Sequence, residues 1–459
     1  MKMDMTVGKE WKKILLFTLP IIAGNLLQQM YNFIDSILVG RFVSSTALAA
    51  VGTSMPLTFL FFAMAMGISV GVGVVVAQYF GAKKYDKLSP AIDTSLILLG
   101  ACGLTLTIVG WFAAPFMLEN LLSVRGPALP LAIQYFRIFS LGFFFQFTYN
   151  GIAAVLRGVG DSKATLYFLL ISTILSTILT VLFVAVLQWG VVGAASSTVI
   201  AQAVCSIVSY IYLRKRFPYD KSAVHFDREI AATMIKLGLP VAIQLVLVSF
   251  GNVLMQRLVN GFEADLPGFM AAFTAATRLD MFIFVPIMGF QSGLASFSGQ
   301  NIGANKLDRV KRGFHVTLVM SVAFTVVLSV LFFLFAAQFL SFFGLESSEL
   351  QPGVEMVRFL SMFFWLFSSY MSLGGLLQGA GDTIMQSAAT LMALVVRVMT
   401  AYVFVHFGWL GYSAAWTTNP IGWAAAAIIV YIRYFTGGWK KRSIAARPGP
   451  PADSQNAER

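Results

Sequence analysis

This 459-residue sequence has very little that can carry charge. Lys, Arg, Asp and Glu make up 11% of it, against 58% hydrophobic residues, where an average soluble domain has about 25% charged residues. That excludes an ordinary soluble fold. Cysteine is nearly absent: Cys102 and Cys205 both lie inside apolar runs, so neither a disulfide framework nor a thiolate metal site is expected. Only His225, His315 and His406 are present, and they are scattered. The glycine-rich runs lie within apolar segments, unlike phosphate-binding turns. No enzyme, bound cofactor or metal is therefore expected. The first apolar run is too long for a leader and lacks a small-residue cleavage site, so no cleaved signal is expected.

The sequence is instead rich in long uncharged stretches. Twelve are read as transmembrane helices, near 14–39, 47–76, 91–114, 130–153, 164–187, 191–213, 234–259, 267–297, 313–336, 353–377, 384–407 and 411–435. The expected fold class is all-α and polytopic. The net charge of +12 would suit a nucleic-acid partner, but its placement argues otherwise. Alternate loops and both chain ends hold 25 of the 32 basic residues. By the positive-inside rule those loops and both termini are cytoplasmic, and the partner of the chain is a lipid bilayer.

The chain also repeats itself. Leu19-Pro20, Asn32 and Phe42 recur as Leu239-Pro240, Asn252 and Phe262, 220 residues on. Gln78 and Gly81 recur as Gln300 and Gly303, Arg137 as Arg358, and Gly158-Val-Gly160-Asp161 as Gly379-Ala-Gly381-Asp382, at offsets of 221 or 222. Six spans per half is an even number, so the halves cross the membrane in the same sense, as two six-helix bundles in parallel repeat. The expected divisions are an N-terminal lobe over 1–213, a cytoplasmic linker over 214–233, a C-terminal lobe over 234–435 and a disordered cytoplasmic tail over 436–459. Two such bundles suit alternating access.

The first span is unusual. Its 26 residues would extend ~39 Å as a helix, enough to cross a ~30 Å hydrocarbon core with tilt. Yet it carries Asn25, Gln28, Gln29, Asn32, Asp35 and Ser36, which fall within about 120° of the helix circumference. Asp35 is costly there, about 2.5–3.5 kcal/mol on insertion scales, and a charge so placed is normally paired, solvated or functional. Pro20 removes one helix hydrogen bond and is a candidate hinge. The second half has no acid at the equivalent place, which is Met255. It offers Asp280, with Arg278 two residues before it and Arg397 in the eleventh span. Asp280 is either a cavity residue or the partner of Arg397.

The runs LPIIAGNLLQQMYNFIDSILVGRF, ALAAVG, AQYFGAKK, RGVGDSK and GVVGAASST, with SGQNIGANK and QGAGD in the second half, resemble the multidrug and toxic compound extrusion family. They are nearest its bacterial DinF-like and MepA-like branch, over about residues 10–435. The resemblance implies a twelve-helix antiporter of the bacterial inner membrane that exports cationic or amphipathic small molecules against H⁺ or Na⁺. It places the coupling acid at Asp35 with Asn32, the bend at Pro20, and further site positions at Ser176, Thr180 and Thr198. The branch carries Asn and Asp where this chain has Ser176 and Thr180. Hydroxyls cannot carry a proton, so a single-proton relay is favoured over a strong Na⁺ site. Gln28, Asn252, Arg278, Asp280 and Arg397 are the candidates for a substrate cavity, and a monomer is expected. The alternative, a lipid-linked glycan flippase, would need a cationic cavity, for which only Arg278 and Arg397 are available.

Overall fold

The computed structural model describes residues 3–42, 45–122, 124–126, 128–217, 225–264, 266–343 and 347–444, with the side chains of 31–42, 45–49 and 347–349 outside the description. Every regular element among the described residues is helical. The first half holds α1 (Glu10–Phe42), α2 (Ser45–Gly81), α3 (Tyr85–Phe116), α4 (Ala128–Ser140), α5 (Phe143–Gly158), α6 (Ser162–Thr180) and α7 (Gly190–Arg216). The second holds α8 (Arg228–Gly261), α9 (Phe269–Gly303), α10 (Leu307–Ser341), α11 (Ser347–Ser361), α12 (Phe364–Gly379), α13 (Thr383–His406), α14 (Ala414–Thr417) and α15 (Asn419–Phe435).

Among the described residues, nine helices are long and apolar enough to cross a membrane. The fourth and tenth expected spans are each broken in two, α4–α5 bent by 44° and α11–α12 by 52°. The twelfth appears as α14 and the 17-residue α15. The breaks obey the repeat. Arg137, before the first, donates through Nε to the Trp111 carbonyl at 3.1 Å, and Arg358, before the second, to the Phe333 carbonyl at 3.2 Å. Each guanidinium also lies over the ring of the residue whose carbonyl it holds. The two arginines therefore anchor their own lobes.

The lobes are not closed on themselves. Ile14, Phe17 and Ile21 of α1 are buried in a cluster otherwise built mainly from the second half. Ile230 and Met234 of α8 are buried in the cluster of the first half. Beyond those first turns each helix returns to its own side: Gly24 of α1 faces Leu166 and Leu169 of α6, and Gly251 of α8 faces Leu394 of α13. Pro20 and Pro240 sit inside α1 and α8 where the crossing over takes place.

Apolar contact alone does not hold helices together in lipid, because lipid tails are as apolar as leucine; close packing and hydrogen bonds do. The lobes meet this requirement at the end that carries both termini. There α2 and α9 cross so closely that a Cβ on Gly81 would strike the Gln300 carbonyl, and one on Gly303 the Gln78 carbonyl. The two glutamines then reach across. Gln78 Nε2 donates to the Gly379 carbonyl at 3.0 Å, and Gln300 Nε2 to the Gly158 carbonyl at 2.9 Å. Their oxygens accept from the chain ends, Gln300 Oε1 from Met5 N at 2.9 Å and Gln78 Oε1 from Ile444 N at 2.7 Å.

The N-terminal segment of this clasp is held further. The Met5 carbonyl accepts from Asn301 and Arg309, the Thr6 carbonyl from Lys306, and Met3 N donates to the Gly160 carbonyl. Glu10 pairs with both Arg309 and Arg312 at 3.0 Å. Burial raises the Asp4 carboxyl, but hydrogen bonds from Thr6 and the charges of Lys13 and Lys306 outweigh it, leaving it below the usual carboxylate range.

Replacing either glutamine strands a buried carbonyl and a buried amide, at about 1–3 kcal/mol for each group left unpaired. Gln78→Leu and Gln300→Leu should each lower the melting temperature. Gln300→Leu should also open a cysteine placed at Met5, itself fully buried, to a water-soluble thiol reagent. An unchanged labelling rate would show that the clasp does not hold the segment.

Candidate coupling and substrate sites

On the first lobe, α6 packs against both α1 and α7, so that residues four apart on α6 face the same neighbours. Ser176 and Thr180 are both buried. Thr180 Oγ1 lies 2.8 Å from Ser197 Oγ on α7, and Ser197 donates on to the Ala194 carbonyl at 2.9 Å. Thr198 is half-buried and turns back on its own helix, donating to the same carbonyl at 3.2 Å. The hydroxyl group that α7 brings to Thr180 is therefore Ser197. Thr198, the position that the resemblance implies, is its neighbour in the chain. Asn32 and Asp35 lie on α1, but their side chains fall outside the described residues. Gln28 is exposed and Pro20 half-buried.

On the second lobe, Asp280 of α9 is 2% exposed, and its Oδ1 has no hydrogen-bond partner. No N···O contact within 4.0 Å joins it to Arg397 of α13 among the described residues. The ion pair expected as one reading of Asp280 is thus not closed. Arg397 Nη1 instead donates to Asn252 Oδ1 of α8 at 3.5 Å, a long contact, while its Nε is buried without a partner. Asn252 and Arg397 thus link α8 to α13, Asp280 of α9 bonds to neither, and Arg278 is exposed. Met255, at the place equivalent to Asp35, is 2% exposed. A separate knot of hydroxyls, Ser321 with Ser368 and Ser372 at 3.0 and 2.9 Å, ties α10 to α12. Among the described residues no group of three His, Cys, Asp or Glu could hold a metal.

Two repeated six-span halves, sharing their first helices and clasped at one end, define a two-lobe, multi-span membrane protein. The MatE family model matches residues 20–182 and again 240–403, and the chain belongs to that family. The two matches begin 220 residues apart, the offset of the internal repeat. The chain is 27% identical over 447 residues to the probable multidrug resistance protein YoeA of Bacillus subtilis, covering 95% of each. It is 25% identical to the multidrug export protein MepA of Staphylococcus saprophyticus, covering 92% of this chain and 94% of that one. Its fold superposes with a TM-score of 0.89 on an outward-facing MATE family transporter of the MOP superfamily, at 26% identity over 96% of this chain and 99% of the other.

An isolated buried carboxylate is costly unless paired or neutral. Asp280→Asn, which removes that charge without breaking an ion pair, should fold and melt no lower than the parent protein. A drop of more than a few degrees in melting temperature would mean that Asp280 supports the lobe as an anion.

Proposed function

We propose that the protein is a secondary-active antiporter that exports cationic or amphipathic small molecules by alternating access, driven by H⁺ entering through Asp35 rather than by Na⁺. The observation that carries this reading is the clasp. The described cross-lobe hydrogen bonds gather at one end, while α1 beyond Gly24 and α8 beyond Gly251 turn onto their own lobes. A cavity between the lobes then opens towards the opposite end, and releasing the clasp reverses its access. Relatives named for multidrug resistance and export support the substrate class.

The coupling site is assigned to α1, α6 and α7. Helices α1 and α6 start from the same end, and Gly24 meets Leu166 and Leu169. Counting eleven residues on from Gly24 and Leu169 along both helices would bring Asp35 level with Thr180. Asp35 and Asn32 then share a site with Ser176, Thr180 and Thr198, to which Ser197 is added. One carboxylate among hydroxyls suits a proton, whereas Na⁺ and larger cations want several oxygen ligands, preferably charged. Pro20 is the hinge at which α1 leaves the opposite lobe. Gln28, Asn252, Asp280, Arg278 and Arg397 are the cavity candidates, with Asp280 and Arg397 its charged pole. The protein works as a monomer in a bacterial inner membrane, with the clasped end and both termini in the cytoplasm. The lobes are divided at 213, 234 and 435, with cores that interlock across those divisions and a C-terminal segment that is ordered past 435 through Gly438–Arg442 to Ile444.

Asp35→Asn should insert and fold but lose proton-driven efflux of ethidium from everted vesicles, by about a hundredfold or more if the acid acts as the sole proton carrier. Export at the parental rate would make Asp35 structural. Cysteines in the 220–227 linker should resist an impermeant reagent in whole cells, while those in the 341–351 loop should react. Labelling of the linker alone would invert the orientation.

A further inference from the structure

The repeat places Asp161 before α6 and Asp382 before α13, but the two acids are used differently. Asp161 caps its helix, accepting from Ala164 N at 3.3 Å, and takes a hydrogen bond from Tyr212 at 2.8 Å. At the place equivalent to Tyr212 stands Arg433, whose Nε lies 2.6 Å from Asp382 Oδ2, and Arg442 adds a second contact at 3.7 Å. Drawn aside by two guanidiniums, Asp382 makes no cap. The first amides of the 24-residue α13 are left without a side-chain partner, at the positive end of the helix dipole.

A pocket opens there. Beside an apolar wall, its lining includes Thr233 and Lys236 of α8, Gly381, Asp382 and Thr383 at the start of α13, and Arg442 of the C-terminal segment. Thr383 is fully buried, and its Oγ1 has no partner. Gly381 has φ +83° and turns the chain so that α13 begins at the pocket wall. With Asp382 already neutralised, Lys236 and the surplus arginine make the pocket electropositive. Unpaired amides, an unpaired hydroxyl and two cations form an oxyanion cradle.

We propose that this pocket binds a phosphate-type oxyanion, either free or as the headgroup of an anionic phospholipid of the adjoining leaflet. The equivalent place on the first lobe has no such site, since Asp161 covers the amides and Leu16 stands where Lys236 would repeat. Occupancy also has a structural consequence. The first turns of α8 and Ile444 are packed in the core of the first lobe, whereas α13 belongs to the second. A bound anion would therefore fasten the clasped end.

The test uses the full-length protein in detergent, its unfolding midpoint followed by tryptophan fluorescence. Inorganic phosphate and dihexanoyl phosphatidylglycerol are titrated separately, with dihexanoyl phosphatidylcholine as the control. A saturable rise with phosphate identifies a free-anion site. A rise with phosphatidylglycerol alone identifies a lipid headgroup site. Lys236→Gln and Thr383→Val should each weaken the response about tenfold in concentration, the scale of one lost charge-assisted or buried hydrogen bond. Lys441→Gln, outside the pocket, should leave it intact. No rise with either ligand, an equal rise with phosphatidylcholine, or a response in Lys236→Gln equal to that of the parent would overturn the proposal. So would an equal loss in Lys441→Gln, which would reduce the effect to net charge.

Discussion

Two glutamine side chains engage both the oxygen and the nitrogen of their amides at the seam between the lobes, and the closed end depends on them. A glutamine amide has one acceptor and a two-proton donor. Gln78 spends its nitrogen on the opposite lobe and its oxygen on the C-terminal segment, and Gln300 does the same with the N-terminal segment. Neither can reach unless α2 and α9 touch backbone to backbone, which Gly81 and Gly303 allow. Side-chain hydrogen bonds thereby tie down carbonyls at the helix ends that the helices themselves leave unpaired. Near a membrane interface this matters more than apolar contact, which lipid can match.

The same symmetry is broken where chemistry is expected. In the first lobe Thr180 of α6 and Ser197 of α7 are hydroxyls bonded to each other, which would give the coupling acid proposed on α1 a neutral surround. In the second lobe α8, α9 and α13 carry an amide, a carboxylate and a guanidinium without closing an ion pair. An open pair of opposite charges inside a lobe is tolerable only if something else screens it or if its protonation changes. The two lobes thus offer unlike environments on a common scaffold, as unequal roles in one transport cycle require.

Much of this was legible in the sequence. The apolar runs locate the spans, because lipid admits only segments that pair their own backbone. The repeat could be read because it constrains backbone: Gly81, Gly303, Gly160 and Gly381 sit where a side chain would collide or a positive φ is needed. Side-chain partnership was less readable. Which of Ser196, Ser197 and Thr198 faces Thr180 depends on the rotation of α7 against α6, and that rotation has no sequence signature. The breaks within the fourth and tenth spans were missed because neither Ser140–Gly142 nor Ser361–Phe363 contains a proline. The straps at the chain ends escaped because a polar terminal segment looks the same whether it is docked or free, and their anchors, Gln78 and Gln300, look like any polar residue at the end of a span.

The exchange of first turns between the lobes also dictates an order of assembly. When the ribosome has delivered six spans, the first-half core still lacks Met234, and Phe17 and Ile21 still lack the second-half residues they are buried with. Met234 comes only when α8 arrives, and the cover for α1 only with α9, some 250 residues after its own synthesis. Contacts so far apart in sequence form late, so the first half must wait in the bilayer, inserted but incompletely packed, until its twin supplies the missing pieces.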